Sequence, residues 1–499
     1  MKKRAIFHNI AGALSNFLFL FLTGIVLLPF YFRYVSSSDY GTWLGGISFL
    51  SLASVLEANI SFILTQQLGE KWIAGRRSDF AGYLGAAVLF AIAAGILIIG
   101  STWLFRYDLV SWVSGSEDER KVFGDSFFLY SISLALTILF GYMNSVTQVF
   151  LRTLMTPVFN LLAALAGIIY TVLAVPGQGI LALAGGTLVK SALAALLVMV
   201  YAVVLLREYK IPVVFRPGYL LELLGRVTWP FFSKIAMTAA VSIQNFIVAA
   251  TISAGATTVF DVTRKLPLTM QMLMNMITVS TFTSFSLLYA GQKEGTAGYE
   301  QTHRYFAFIR IFLVVSLAII FMAGGDFIAW WVGADKFGGH IILGLLCLTA
   351  LFDQVRLMLA QQYTAMGRFN LTSATDAVFA VSFLLLALAL IPGMHLYGIV
   401  MAGLAANMVY LLAVWFAERN SVTRLVPAAV NPGLLADLAL AGGIATTALL
   451  LRGWLAGDLP QAIAILSLSS IILVVVFALK DKTLLLAVFR QFFPKPVQS

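Results

Sequence analysis

The sequence predicts an all-α, polytopic membrane protein of about fourteen transmembrane helices. Of its 499 residues, 60% are hydrophobic and only 11% charged, against ~25% charged and ~45–50% apolar in soluble domains. The apolar residues fall in near-continuous runs such as Leu197–Leu206, Ile311–Phe321, Phe383–Ile391 and Ile463–Leu479, where a water-soluble helix would carry a polar stripe. The basic residues concentrate in alternate loops, as they do beside membrane spans.

In chain order, the apolar windows place spans near 8–32, 41–67, 80–104, 126–150, 157–175, 179–206 and 228–252. They continue near 257–289, 305–324, 339–363, 371–391, 396–417, 434–451 and 461–479. Most approach the ~20 residues that cross a bilayer. The segment 257–289 is longer, so it is expected to tilt or to run past the membrane as helix. Met1-Lys2-Lys3-Arg4 resembles a signal-peptide n-region, but the apolar segment after it is too long and no small-residue cleavage site follows. Residues 8–32 are therefore read as a retained first span.

With both termini cytoplasmic, 20 of the 32 basic residues fall in inside segments and 6 in outside ones. Lys71, Arg76 and Arg77 mark one inside loop, and Arg207, Lys210, Arg216 and Arg226 another. One miscounted helix would invert every later loop, so count and orientation support each other. The expected organisation is an N-terminal lobe (1–206, spans 1–6), a basic cytoplasmic linker (207–227) and a C-terminal lobe (228–417, spans 7–12). Spans 13–14 (434–479) and a cytoplasmic tail (480–499) follow. The longest outside loop, 105–125, is short and acidic, which leaves no soluble domain.

Several classes find no support. The formal charge of +10 is spread over inside loops rather than gathered into a nucleic-acid surface. The single Cys347 forms no internal disulfide and reads as a small buried hydrophobe. His8, His303, His340 and His395 are too scattered for a metal site. Gly185-Gly186-Thr187-Leu188-Val189-Lys190-Ser191 lacks the glycine that a phosphate loop needs before its lysine. No catalytic constellation stands out in the loops, so no enzyme and no cofactor are expected.

Ionisable groups inside spans are the sharpest local signal, since each costs ~2.5–3.5 kcal/mol at the bilayer centre and normally faces a polar cavity or a partner. They are Lys190, Lys234, Arg264, Lys265, Arg310 and Arg356, with the acids Glu57, Asp261, Asp353 and Asp376. Asp353 and Arg356 share a helix face at three-residue spacing and read as a structural ion pair that would survive exchange of its two members. Asp261 is shared by Arg264 and Lys265, which leaves a net positive charge. Lys190 and Lys234 have no acidic neighbour within four residues. Snorkelling competes as an explanation for Lys234, and is the expected state of Arg310. Glu57 is either half of a salt bridge to another helix or a protonatable coupling group. Six cations against four anions suit an anionic ligand, because arginine offers paired donors to phosphate oxygens. Gln354, Gln362, Asn407 and other polar residues in the spans could bind sugar hydroxyls or hold helices together.

The turn Tyr34-Val35-Ser36-Ser37-Ser38-Asp39-Tyr40-Gly41-Thr42-Trp43 between the first two spans has a counterpart, Thr251–Phe260, between the seventh and eighth. Six spans separate the copies, so the repeat is parallel. Val35-Ser36-Ser37-Ser38-Asp39-Tyr40-Gly41 resembles the Leu-Gly-x-x-x-Tyr-Gly turn of the Wzx-like polysaccharide flippases, a branch of the multidrug/oligosaccharidyl-lipid/polysaccharide (MOP) exporter superfamily. Ser36 stands where glycine is usual. Arg264 is similar to an arginine of the second repeat, although Phe260 replaces the glycine of its Val-Gly pair.

The resemblance implies two six-helix lobes around a central cavity plus two C-terminal helices, in a bacterial inner membrane. It implies outward translocation of a polyprenyl-diphosphate-linked oligosaccharide by alternating access, with membrane lipid and polysaccharide polymerase or export proteins as partners. Lys234, Arg264, Lys265, Lys190 and Arg33 are then expected to bind the substrate, with Glu57 and Asp261 in coupling or gating. A cation-coupled multidrug exporter of the same superfamily is the alternative, and a membrane-embedded glycosyltransferase or ligase a more distant one.

Overall fold

The computed structural model describes residues 24–477, apart from 25, 114–118, 153–154, 213, 215–217, 226–228, 291–295, 420–424, 426–428, 430–431, 456–466 and 474. Most of the first expected span, much of the fourteenth and the whole 480–499 tail lie outside the described residues. The described residues are helical, with no strand among them. Nine of their helices are long and apolar enough to cross a membrane. The chain divides into two compact units, Met1–Thr258 and Val259–Ser499.

The first unit holds α1 (Ser37–Leu50), α2 (Leu52–Ile73), α3 (Arg77–Val113), α4 (Arg120–Val149), α5 (Met155–Gln178) and α6 (Ile180–Glu208). The short α7 (Gly218–Gly225), α8 (Trp229–Ser242) and α9 (Gln244–Thr251) complete it. Central α4 packs on α2, α3 and α6, and α5 covers α6. Leu64, Leu68, Phe80, Tyr83, Tyr142 and Val198 fill the core between them. At the end holding Trp72, aromatic rings close the bundle: Phe150 lies 5.0 Å from Trp72 and 4.3 Å from Tyr209. Helix α7, in the expected linker, is tied to α3 where the Tyr219 hydroxyl donates to Asp79 Oδ1 at 2.9 Å. Because α8 packs on α2 and α9 on α1, this compact unit runs past 207–227 and takes in the expected seventh span.

Two expected spans are broken. The second is α1 and α2, separated at Ser51, whose hydroxyl donates to the Ser48 carbonyl at 2.8 Å while Ser48 donates to the Ser242 carbonyl. Serine hydroxyls that engage backbone carbonyls commonly bend helices. The seventh is α8 and α9, separated at Ile243. The turn before α1 is a helix start: Ser36 caps it by accepting from Asp39 N at 3.0 Å. Gly41 is required there, since a Cβ would fall 1.7 Å from the Ala254 carbonyl oxygen. The two repeat turns therefore touch, and Thr258 Oγ1 donates to the Ser37 carbonyl at 2.5 Å.

Helix α10 (Ala254–Ala290) begins as the first unit ends and leads into the second. There follow α11 (Thr296–Trp331), the 3-10 turn Ala334–Lys336, α12 (His340–Ala365), α13 (Phe369–Met394), α14 (Leu396–Glu418) and α15 (Pro432–Leu455). At 37 residues, α10 is ~55 Å long, well beyond a ~30 Å hydrocarbon core, as the length of 257–289 suggested. Helices α13 and α14 form a hairpin, α14 packs on α12, and α11 packs on α12 and α15. In the turn after α11, the Lys336 ammonium beside Asp335 holds that carboxyl below its ordinary range.

Candidate functional site

The first turns of α10 carry the charged group. Ser253 caps the helix by accepting from Ala256 N at 3.1 Å. Thr263 donates to the Val259 carbonyl at 2.7 Å and accepts from Gly338 N at 2.9 Å, which fixes this stretch against the turn after α11. On that anchored stretch, Lys265 pairs with Asp261, and the Arg264 guanidinium lies 3.8 Å from the same carboxylate. The guanidinium also sits over the Phe260 ring at 4.8 Å. The Arg264 and Lys265 side chains stay 19% and 29% exposed.

Asp353 and Arg356 on α12 are within the same unit. Arg356 Nη2 lies 3.2 Å from Asp353 Oδ1, and its Nε donates to Asn407 Oδ1 at 3.3 Å. Asn407 Nδ2 returns a bond to Asp353 Oδ1 at 3.1 Å, and the guanidinium lies over Phe379 at 4.1 Å. Arg356 is 2% exposed. The sequence read this as a self-contained pair, but Asp353 is also close enough to Arg264 to act on it electrostatically. Asp261, Arg264, Lys265, Asp353 and Arg356 thus form one charged group on α10 and α12. Asp376 on α13 is buried close to Tyr410, as is Arg356. The amides act as links between helices: Gln354 donates to Thr278, Asn407 joins α14 to α12, and Gln362 accepts from Tyr289.

Arg310 does not snorkel. Its Nε lies 2.9 Å from Asp437 Oδ2, joining α11 to α15, and the Asp437 side chain is 0% exposed. Sequence reasoning missed Asp437 because it sits at the edge of an expected span and far from Arg310 along the chain. Neutralising Arg310 in this way leaves five span cations against four anions, a smaller positive excess than the sequence suggested.

The remaining expected residues lie in the first unit. Lys190 stands on α6 beside α5, where a Cβ on Gly167 would come 3.0 Å from its own, and it is exposed. Arg33 is exposed just before α1. Glu57 is on α2 and Lys234 on α8, but both side chains lie outside the described residues. Among the described residues no three His, Cys, Asp or Glu side chains gather as a metal site would need. The second unit also contains an apolar cavity of about 410 Å³ between α11, α12 and α15. Leu317, Phe321, Leu348, Leu438 and Ala441 line it, with His340 among them.

Residues 85–323 match a family model described as a polysaccharide biosynthesis protein. The chain is similar to the lipid II flippase MurJ in its inward closed conformation, with TM-score 0.66 and 13% identity over 90% of this chain and 98% of that one. It is also similar to an inward-facing multidrug resistance MATE family transporter of the MOP superfamily, with TM-score 0.64 and 13% identity over 80% and 96%. The fold is that of the MOP exporters. A MOP superfamily transporter from Pyrococcus furiosus, described by the reverse polarity of its binding pocket, shares the MOP fold at TM-score 0.58 and 14% identity over 84% and 95%. No curated protein sequence matches the chain. The fold expected from the resemblance is borne out, and the family match over 85–323 includes Arg264 but not the 35–41 turn. The all-α, multi-pass architecture is borne out with it.

Proposed function

We propose that this MOP-fold protein is a flippase for a polyprenyl-diphosphate-linked oligosaccharide, carrying the head group from the cytoplasmic to the outer face of a bacterial inner membrane. The observation that carries the reading is the pair Arg264 and Lys265, held beside Asp261 on an anchored stretch of α10 with part of each side chain accessible. Asp261 lies against both cations, and Asp353 also acts on Arg264 electrostatically. Paired guanidinium and ammonium donors match the oxygens of a diphosphate. Lys190, Lys234 and Arg33 are proposed to assist, with Glu57 and Asp261 in coupling or gating. The apolar cavity beside α15 would suit a hydrocarbon chain rather than a sugar. The polysaccharide-biosynthesis match favours the same substrate class.

MurJ and MATE transporters share the fold at almost equal TM-scores, so the fold alone does not separate a lipid-linked anion from a cationic drug. The charges on α10 favour the anion, because a cationic drug would meet Arg264 and Lys265 as repulsion. The test is Arg264→Gln with Lys265→Gln. Surface polysaccharide assembled from lipid-linked units should fall at least tenfold while the protein still inserts and accumulates, a loss of ~1.4 kcal/mol or more. Full export in the double variant would remove the assignment.

A further inference from the structure

A second polar group lies on α3 in the first unit, remote in sequence from the charges on α10. The Arg106 guanidinium, near the C-terminal end of α3, is enclosed by aromatic rings, 4.8 Å from Tyr107, 5.8 Å from Trp103 and 5.9 Å from Phe128. Its Nη2 donates to the Tyr107 hydroxyl at 3.2 Å. Its Nε is buried with no hydrogen-bond partner, and among the described residues no carboxylate pairs with it. Ring faces attract a cation without cancelling its charge. Arg120, which shares Tyr107, is different: it donates to the Tyr107 carbonyl at 3.3 Å and lies 4.0 Å from Asp108. Among the described residues, the Arg106 charge therefore has no compensating carboxylate.

Arg106 borders a cavity of about 170 Å³ between α1 and α3, lined by Phe49, Leu50, Phe105, Leu109 and Trp112. Sites for whole small molecules measure ~300–1,000 Å³, so this one accepts only part of a chain. Trp103, Phe105 and Trp112 are 55%, 60% and 52% exposed, as aromatic residues are at a membrane interface. A cation at the rim of a small apolar cavity, beside a belt of interfacial rings, complements a molecule with a single anionic group joined to a hydrocarbon chain.

We infer that this is a binding site for an anionic phospholipid, with the phosphodiester on Arg106 and the upper part of one acyl chain between α1 and α3. A single guanidinium matches one phosphodiester charge, and the proposed diphosphate substrate carries more charge than this site offers. The site goes beyond the transport reading and does not depend on it.

The test uses the full-length protein in phosphatidylcholine vesicles containing a minor share of phosphatidylglycerol, with retained lipid counted by native mass spectrometry. The unaltered protein should retain one phosphatidylglycerol in preference to phosphatidylcholine, and Arg106→Gln should reduce that preference about tenfold. Arg120→Gln should leave it unchanged. Ser101→Leu, on the exposed rim of the cavity, should crowd the chain and weaken retention without removing any charge. Unfolding temperatures in pure phosphatidylcholine should match across the set. Retention that survives Arg106→Gln, or that falls equally with Arg120→Gln, overturns the site. Displacement of the lipid by inorganic diphosphate at equal concentration would show that a free anion, not a lipid, is what Arg106 holds, and overturns it as well.

Discussion

At the scale of single residues, Arg310 and Asp437 show how far local spacing can be trusted. The pairs at three- and four-residue spacing, Asp353 with Arg356 and Asp261 with Arg264 and Lys265, were legible because a helix places such residues on one face. The partner of Arg310 was not, since only packing of α15 on α11 brings Asp437 to it. Removing one member of a buried pair leaves the other uncompensated, at ~3–5 kcal/mol. Asp437→Ala should therefore lower the thermal unfolding temperature of the detergent-solubilised protein sharply, and Arg310→Met with Asp437→Leu should recover most of the loss. Equal stability of Asp437→Ala and the unaltered chain would deny the pair its structural role. The same reasoning changes the expectation for Asp353 and Arg356. Exchanging them would set an arginine near Arg264 and bury a carboxylate against Phe379, so exchange should not be tolerated.

Among the elements, hydropathy located most helices but not the breaks within them. Nothing apolar distinguishes 41–67 from an ordinary span; the break at Ser51 depends on hydroxyl-to-carbonyl bonds, including one to Ser242. The repeat turns were visible as short runs of small residues, yet their meeting was not. Gly41 is the clearest consequence, because its missing Cβ is what lets α1 approach the Ala254 carbonyl. Overpacking costs ~1–3 kcal/mol even where side chains can yield, and a backbone carbonyl yields less. Gly41→Val should thus destabilise the protein by at least that amount, read as a fall in unfolding temperature. Gly100→Ala, with nothing within 4 Å of its added methyl, should leave the temperature unchanged. Equal behaviour of the two variants would mean that α1 and α10 do not approach as described.

For the whole molecule, the all-α multi-pass architecture was readable from composition and apolar runs, because a bilayer imposes length and polarity on every span. Orientation rests on the distribution of basic residues alone. In a Cys347→Ala background, a cysteine at Ala334 should react with a membrane-impermeant thiol reagent in intact cells, and one at Arg76 should not. Labelling in the opposite sense would invert the proposed topology. The charge of the candidate site was less legible: counting cations within spans overstated the positive excess, because the count missed Asp437. The proposed anion site on α10 keeps Arg264 and Lys265, and moving a diphosphate of about two charges outward through ~100 mV would be favoured by up to ~4.6 kcal/mol. Purified protein is placed in liposomes carrying a polyprenyl-diphosphate-linked oligosaccharide, a potential is imposed, and exposure of the sugar to an impermeant glycosidase is timed. The protein should accelerate exposure, the potential should set its direction, and Arg264→Gln with Lys265→Gln should abolish it. Protein that leaves the sugar's exposure unchanged under every imposed potential or ion gradient, while carrying a lipophilic cation across the same membrane, would contradict the proposed function.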